Sequence, residues 1–511
     1  MRPISKTDYL TYLECPKNAW IKIHKREVYK QFPLSEFEKS IIETGNEVED
    51  YARTLFPAGT LIDGRDAFWQ KKTQELIDSA SLATNVGPLV IFQPVFVSDG
   101  FLAAADILEY DPSTSSGQTG TWNIYEVKAS NSVKETGDRN HVDDLAFQRV
   151  VLMDAGIQVG RCFILHMDPT YVRRGGLELE KLFVSDDMTE QVTELEQETR
   201  EKMQRAKEYL GQEYEPAGYC SCIYKGRSKH CTTFPYSNPD IPDYSIHDIA
   251  RIGASKTKLK ELVDREIWQI DDIPEGMEFS KNQQAQIDAY RYGPHKDMLG
   301  IRYELEKLTF PLYFLDYETY PSAIPRFTGF SPYQQIPFQF SLHVLRTPDE
   351  VPEHYEYLHE ESDDPTDALA TALSQWIGTE GSIIVWNKKF EIGRNVEIAA
   401  RNADFAPLMA NINNRIYDLM DVFTKQHYVE RDFMGSTSIK YVLPVLAPEL
   451  TYKDLAIREG GTASEKWNQM TGGTLPQNER EEIAYNLKVY CKLDTYAMYA
   501  IWKKLYETVY K

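Results

Sequence analysis

The chain has 511 residues, 42% of them hydrophobic and 26% charged, a composition that folds and a length too great for one core. Its 78 acidic and 56 basic residues leave a net charge of −22, which argues against a membrane-surface protein or a binder that grips nucleic acid by charge alone. An enzyme working on nucleic acid is still open: metal-dependent nucleases concentrate carboxylates, and phosphate contacts need only a local basic strip.

Residues 1–235 open with apolar residues at helical spacing over Phe37–Leu55. Short apolar strands follow at Leu89–Val97, Leu102–Leu108 and Trp122–Val127, the last two joined by a hairpin loop at Asp111–Thr121 rich in Ser, Gly and Thr. A helix at Val142–Asp154, a strand at Arg161–His166 and a long charged helix at Met188–Leu210 complete a mixed α/β pattern. Residues 236–305, broken by Pro239, Pro242 and Pro274, read as a helical connector. In the last region, residues 306–511, strands at Leu312–Leu315, Phe338–Leu345 and Gly381–Trp386 precede helices that run to the C-terminus. No apolar run approaches the roughly 20 residues of a membrane span. Residues Met1–Lys17 carry no apolar leader, and six cysteines make no disulfide framework, so a cytoplasmic protein is expected.

Three constellations carry chemistry. Asp106 lies on one strand, and Glu126 and Lys128 end the next, two residues apart and so on one face. An Asp and a Glu on neighbouring strands can hold a divalent cation while the lysine steadies developing charge. Cys220, Cys222 and Cys231 crowd into twelve residues, and with Cys15 they supply the four thiolates that an iron–sulfur cluster or zinc requires. Lys225, Arg227 and Lys229, between those cysteines, offer a nucleic-acid-backbone contact or a solvated loop. Cys162 and Cys491 read as small core residues. In the third constellation Asp316 and Glu318 share a strand face, Glu391 follows a strand and a turn, and Tyr490 and Asp494 stand one helical turn apart. Four carboxylates so placed suit two divalent ions about 4 Å apart, with the carboxyl groups inside a sphere of roughly 8 Å.

These motifs carry resemblances. Asp106…Glu126-Val-Lys128, preceded by an acidic helix and followed by Gln148, resembles the PD-(D/E)XK nucleases of the RecB-like branch. That resemblance implies Lys128 and Gln148 as catalytic groups and Glu47, or alternatively Glu49, as a further metal ligand beside Asp106 and Glu126. An early Cys-Pro with three late cysteines resembles the iron–sulfur RecB-type nucleases. It implies a four-iron four-sulfur cluster on Cys15, Cys220, Cys222 and Cys231, with zinc as the alternative, although the spacing here is C-x-C-x8-C. Asp316-Tyr-Glu318, Asn387-Lys-Lys-Phe-Glu391 and Tyr490-Cys-Lys-Leu-Asp494 resemble the three motifs of DnaQ-like, DEDDy exonucleases of the RNase H-like class. There Tyr490 orients the attacking water, and Glu391 stands where Asp is usual, with Asp418 and Asp421 as candidates to compensate.

The whole arrangement, including Asp144-Leu-Ala-Phe-Gln148, Pro332–Gln339 and Gly435–Lys440, resembles the family called domain of unknown function 2779. The implied fold is a restriction-endonuclease-like α/β domain with a cysteine cluster, joined to an RNase H-like α/β domain. The resemblance implies a nuclease and no pathway; the leading expectation is a metal-dependent nuclease using Mg²⁺ or Mn²⁺ at two sites on single strands or ends of DNA, or on RNA, in repair or phage defence. The other expectation is a nucleic-acid-binding scaffold with one or both sites degenerate, working with a protein partner.

Overall fold

The computed structural model describes residues 2–62, 64, 68–82, 89–112, 120–137 and 140–511, with the backbone alone for 80–82. Residues 113–119 of the expected hairpin loop lie outside that set. The chain divides into two compact units, each assembled from separated pieces. Unit 1 comprises Met1–Ile223, Lys229–Pro239 and Ala323–Tyr333; unit 2 comprises Tyr224–Ser228, Asp240–Ser322 and Gln334–Lys511. Both are mixed α/β and hold mixed sheets.

In unit 1 the chain runs β1 (Ile4–Ser5), α1 (Lys6–Glu14), α2 (Pro16–His24), α3 (Glu36–Arg53), β2 (Thr60–Leu61), β3 (Val90–Phe92), β4 (Val95–Ser98), β5 (Phe101–Ala104), β6 (Ile107–Asp111), β7 (Thr121–Lys128), α4 (His141–Asp154), β8 (Val159–Met167), β9 (Phe183–Asp187) and α5 (Glu196–Leu210). Ser5 and Asp8 box the start of α1, and Ser35 and Glu38 box the start of α3, each satisfying backbone N–H groups that a helix leaves orphaned. Six strands form one sheet in the order β2-β3-β6-β7-β8-β9; β1, β5 and β4 form a second. The two strands expected at 89–97 and 102–108 are each broken in two. Gln93 takes a left-handed backbone (φ 55°) ahead of Pro94, and its N–H donates 3.1 Å to the carbonyl of Asp106, at the opposite break. The hairpin therefore bends as a pair, leaves one sheet and enters the other, with Asp106 at the corner. The charged helix expected over 188–210 also breaks, at Leu195. Helix α4 packs Leu145, Phe147 and Val151 against this bend, and Phe147 stacks on Tyr9 at 4.7 Å. Burying such a ring is worth about 1.5–3 kcal/mol. Segment 323–333 completes the unit: Ala323 and Ile324 join a core with Val48, Ala52 and Leu165, and the Tyr333 hydroxyl donates 2.7 Å to the Ala129 carbonyl.

Unit 2 begins with short helical turns over residues 240–292, the stretch read as a connector, which packs as part of this unit. It continues with β10 (His295–Lys296), β11 (Leu312–Pro321), β12 (Gln335–Leu345), β13 (Glu353–Leu358), β14 (Ser382–Val385), α6 (Lys388–Arg401), β15 (Ile416–Asp418), α7 (Ile439–Leu446), α8 (Gly460–Thr471) and α9 (Gln477–Tyr510). The main sheet has the order β13-β12-β11-β14-β15, with β12 antiparallel to both neighbours and β14 and β15 parallel to β11. Alternation along β11 divides its two faces. Tyr313, Leu315 and Tyr317 enter a core with Leu369, Leu373 and Ile398, whereas Phe314, Asp316 and Glu318 face the long helix α9. β14 pairs with β11 only over Leu312–Phe314, so Asp316 and Glu318 lie beyond its end. That is the carboxyl edge of the parallel strands, where open α/β sheets gather ligands.

Candidate metal centres

The first centre is made of thiols. Cys15 sits in extended conformation (φ −159°) between α1 and α2, with Pro16 starting the second helix. Cys220 and Cys222 lie at a 3₁₀ turn and Cys231 beyond it. The four sulfur atoms lie within 4.8 Å of one another, Cys220 and Cys231 at 3.9 Å, so the group can hold a metal ion. All four are free thiols, and Cys15 is held far below the usual thiol range by hydrogen bonds from Cys220, Cys222 and Cys231. Outer contacts fix the clip: Asn238 Nδ2 donates 3.2 Å to Cys220 Sγ, Thr233 donates to Asn18 Oδ1, and Lys17 Nζ donates 2.6 Å to the Gly218 carbonyl.

Of the basic residues between these cysteines, Lys229 is exposed. Lys225 is half-buried, and Arg227 is engaged internally. The Arg227 guanidinium bonds Asp248 through two nitrogens and reaches the Pro242 carbonyl at 3.1 Å, because the Asp248 carboxylate is buried and needs a cation.

The second centre lies around the corner of the broken hairpin. Asp106 Oδ2 accepts from the Val127 N–H at 2.8 Å, which brings it to β7. Glu126, 2% exposed, accepts from Lys6 Nζ (2.7 Å), Lys128 Nζ (2.8 Å) and Gln148 Nε2 (2.6 Å). The same two lysines and Gln148 also bond Asp144, itself buried on α4. Burial would raise Glu126, but Lys128 and Lys6 outweigh it and hold the carboxyl well below its ordinary range. Burial would lower Lys6, and Asp144, Glu126 and Asp106 outweigh that in turn. Asp106 goes the other way, pushed up by burial and by Glu126.

Asp106, Glu126, Lys128 and Gln148 are thus brought together; Glu47 is not. Residues two apart on a helix point about 200° apart, and on α3 it is Glu49 that turns inward. Gln93 Nε2 bridges Glu49 and Asp106, and Arg53 pairs with Glu49, while Glu47 is exposed. Asp144 was legible as the residue one turn before Gln148. Lys6 and Gln93 carried no signal: Lys6, at the first position of α1, reaches Glu126 from 120 residues away, and Gln93 acts from the break in an expected strand.

The third centre is acidic and lacks such compensation. Asp316, Glu318 and Cys491 place ligand atoms within 4.8 Å of one another. Burial and then the Asp316, Asp494 and Glu391 carboxylates push Glu318 well above the carboxylate range. Asp316 is raised by burial and Asp494, and Glu391 by burial and Asp316. Glu391 is 1% exposed, and its Oε2 has no hydrogen-bond partner. Asp494 accepts from the Tyr452 hydroxyl at 2.5 Å; burial raises its pKa to about 6 against the bonds from Tyr452 and Tyr490. Tyr490, 4% exposed, stands one turn before it.

A side chain at Gly460 would come within 3.7 Å of Glu318 Oε2 and 4.0 Å of the Tyr490 hydroxyl, so the start of α8, with its positive dipole end, abuts the acids. Among the described residues no ion pair involves Asp316, Glu318, Glu391 or Asp494; Lys440 and Arg394 act on them only at longer range. Asp418 does not compensate for Glu391: its carboxylate accepts the N–H groups of Asn387, Lys388 and Met420 at 2.8–3.2 Å and caps the start of α6. Asp421 pairs with Lys425. Tyr452 and Cys491 are additions to the expected set. Cys491 was read as a core residue, and it is buried, but α9 presents it on the same face as Tyr490 and Asp494.

Residues 313–438 match the model for a domain of unknown function, DUF2779. The matched stretch contains Asp316, Glu318 and Glu391 and ends before Lys440, Tyr490 and Asp494. The chain is 33% identical over 140 residues to uncharacterized protein UU173 of Ureaplasma parvum serovar 3, covering 24% of this chain and 20% of that protein. It is 27% identical over 207 residues to uncharacterized protein MG366 of Mycoplasma genitalium, covering 37% and 31%. The MG366 homolog of Mycoplasma pneumoniae is 28% identical over 144 residues, covering 26% and 22%. The chain thus spans between a fifth and a third of the length of the curated relatives it matches. Among the described residues no helix is long and apolar enough to cross a membrane.

Proposed function

We propose that the chain is a metal-dependent nuclease, with a DEDDy-type, RNase H-like site in unit 2 and a PD-(D/E)XK-type, RecB-like site in unit 1, acting on single strands or ends. One observation carries the reading: Glu391 keeps a buried carboxylate oxygen without a partner beside three further carboxylates. Unpaired buried charge costs several kcal/mol, and a divalent cation is the group that answers four such acids at once. Mg²⁺ or Mn²⁺ there would supply charge neutralisation at the phosphate and a more acidic water. The chain's own part is to position: Asp316, Glu318, Glu391 and Asp494 hold the ions, and Tyr490 orients the attacking water from beside Asp494.

In unit 1, Asp106, Glu126 and Glu49 are the ligands, Lys128 steadies the phosphate, and Gln148 fixes Glu126. The four thiols favour zinc over an iron–sulfur cluster, because tetrahedral zinc at about 2.3 Å sets thiolates roughly 3.8 Å apart, close to the 3.9 Å between Cys220 and Cys231.

A second reading is supported by Lys6 and Lys128, which already neutralise Glu126 and Asp144: unit 1 then binds nucleic acid without cleaving it. The test is cleavage of labelled single- and double-stranded DNA and RNA with Mg²⁺ or Mn²⁺ by the wild type, Asp316→Ala, Asp106→Ala and the double variant. Loss of all cleavage in Asp316→Ala alone selects the scaffold reading for unit 1. Undiminished cleavage in the double variant sinks both sites.

A further inference from the structure

We propose that Cys491 makes the unit 2 centre a mixed sulfur–carboxylate site, which binds thiophilic ions such as Zn²⁺ in preference to Mg²⁺ and is inhibited by them. The inhibition rests on the nuclease reading above; the binding does not.

The argument begins with helix geometry. On α9, residues 490, 491 and 494 fall on one face, so the turn that brings Tyr490 and Asp494 to β11 necessarily brings Cys491 as well. Its Sγ lies 4.0 Å from Asp316 Oδ2, and the ligand atoms of Asp316, Glu318 and Cys491 all lie within 4.8 Å of each other. An ion placed to bond the first two carboxylates therefore has a sulfur within reach. Cys491 is 0% exposed, so the sulfur is not a surface thiol that happens to pass. The unpartnered Oε2 of Glu391, itself 1% exposed and acting on Glu318, is independent evidence that the pocket is built for a ligand.

Ligand chemistry then decides which ion. Mg²⁺ is hard, holds six oxygens in near-ideal octahedra and gains nothing from sulfur. Zn²⁺ accepts thiolate and carboxylate together, at about 2.3 and 2.0–2.2 Å, and three protein ligands plus water is its usual open arrangement. When a metal–sulfur bond forms, the thiol proton passes to solvent and the ion keeps its charge state, so no oxidant is needed. Such an ion occupies the place of one of the two hard ions and draws the carboxylates into tetrahedral geometry. Cleavage stops while binding tightens.

The experiment uses the full-length chain. Cadmium NMR of the full-length Asp106→Ala protein, in which the unit 1 carboxylate site is removed, should show two resonances, one from the four-thiol centre, lost in Cys222→Ser, and one from the unit 2 centre, lost in Cys491→Ser and in Asp316→Asn. Zn²⁺ titrated into Mn²⁺-supported cleavage should inhibit the wild type, and Cys491→Ser should weaken that inhibition by roughly 10- to 100-fold, the scale on which metal-site changes act. Cys491→Ala, which cannot replace the sulfur with oxygen, should show the same loss and guards against a serine-specific artefact. In that Asp106→Ala background a second cadmium resonance that survives Cys491→Ser overturns the proposal, as does an unchanged zinc inhibition constant in an active Cys491→Ser protein. If the resonance depends on Cys491 while no cleavage is found with any substrate, the nuclease reading fails and the metal site stands.

Discussion

The two carboxylate clusters hold similar acids and handle them in opposite ways. In unit 1, Glu126 and Asp144 are buried but are met by Lys6, Lys128 and Gln148, so Glu126 stays ionised without any ion. In unit 2, Asp316, Glu318, Glu391 and Asp494 face one another with tyrosines and a helix start for company, and all four are pushed upward by burial. The chain neutralises the first cluster itself. It leaves the second to be neutralised from outside, or by protons.

That contrast can be broken at several points. The largest effect is expected at Glu391. Glu391→Gln should cut unit 2 cleavage by about 10³-fold, as the loss of several kcal/mol of metal-supplied stabilisation demands. It should at the same time raise the metal-free melting temperature, since a buried unpaired acid is gone. A variant that lost activity and stability together would show that Glu391 is structural.

Cys222→Ser comes next. It should release the thiol-bound metal and lower the melting temperature by roughly 10 °C or more, read by metal analysis and calorimetry. Lys6→Met turns the first cluster into a likeness of the second: denaturant titration should show a loss of roughly 3–5 kcal/mol without metal and recovery with Mn²⁺. If Mn²⁺ restores nothing, unit 1 is not a metal site.

Smaller again, Glu49→Gln should weaken Mn²⁺ binding at the Asp106 cluster by roughly 10- to 100-fold, and Glu47→Gln should not, both measured in an Asp316→Ala background. The smallest effect concerns acid stability. Burial, helped by His354 and Lys492, lowers His343 from 6.5 to about 3, and burial with Lys492 lowers His354 to about 4. A histidine whose folded pKa is depressed stabilises above its unfolded value and loses that stability as pH falls through about 4 and then 3. His343→Gln should flatten the fall in melting temperature below pH 6 by roughly 2–4 °C.

What could be read from the sequence follows from how local each signal is. Asp316 with Glu318, and Tyr490 with Asp494, are spaced by the periods of a strand and a helix, so their shared faces were legible before any tertiary structure. The same periodicity placed Cys491 beside Asp494; it went unread because a cysteine amid apolar residues looks like core. Glu47 against Glu49 depended on how α3 is rotated, and its apolar residues misled there: Phe37, Ile41 and Ile42 are exposed, whereas Val48 and Ala52 are buried. The bend at Gln93 and Asp106 splits two strands that alternation alone makes continuous. Lys6 at a helix start, Gln93 at the strand break and Tyr452 in an irregular stretch meet partners 120, 13 and 42 residues away, a distance that no local pattern reports.

Segment 323–333 carries a consequence for how the chain is made. It belongs to the core of unit 1, yet it is encoded between β11 and β12 of unit 2, with residues 240–322 intervening after the last earlier piece of unit 1 ends at Pro239. At about 5–20 residues per second on a ribosome, β8, which ends at Met167, waits roughly 8–30 s for Ala323 and Ile324, and α3 waits longer still, so unit 1 cannot finish while it is alone. For the same reason no single cut releases either unit whole: a break after Pro239 strips unit 1 of part of its core, and one before Gln334 takes β11 from unit 2. Insertion, deletion or exchange of one half between related genes would leave both halves incomplete, which ties their inheritance together.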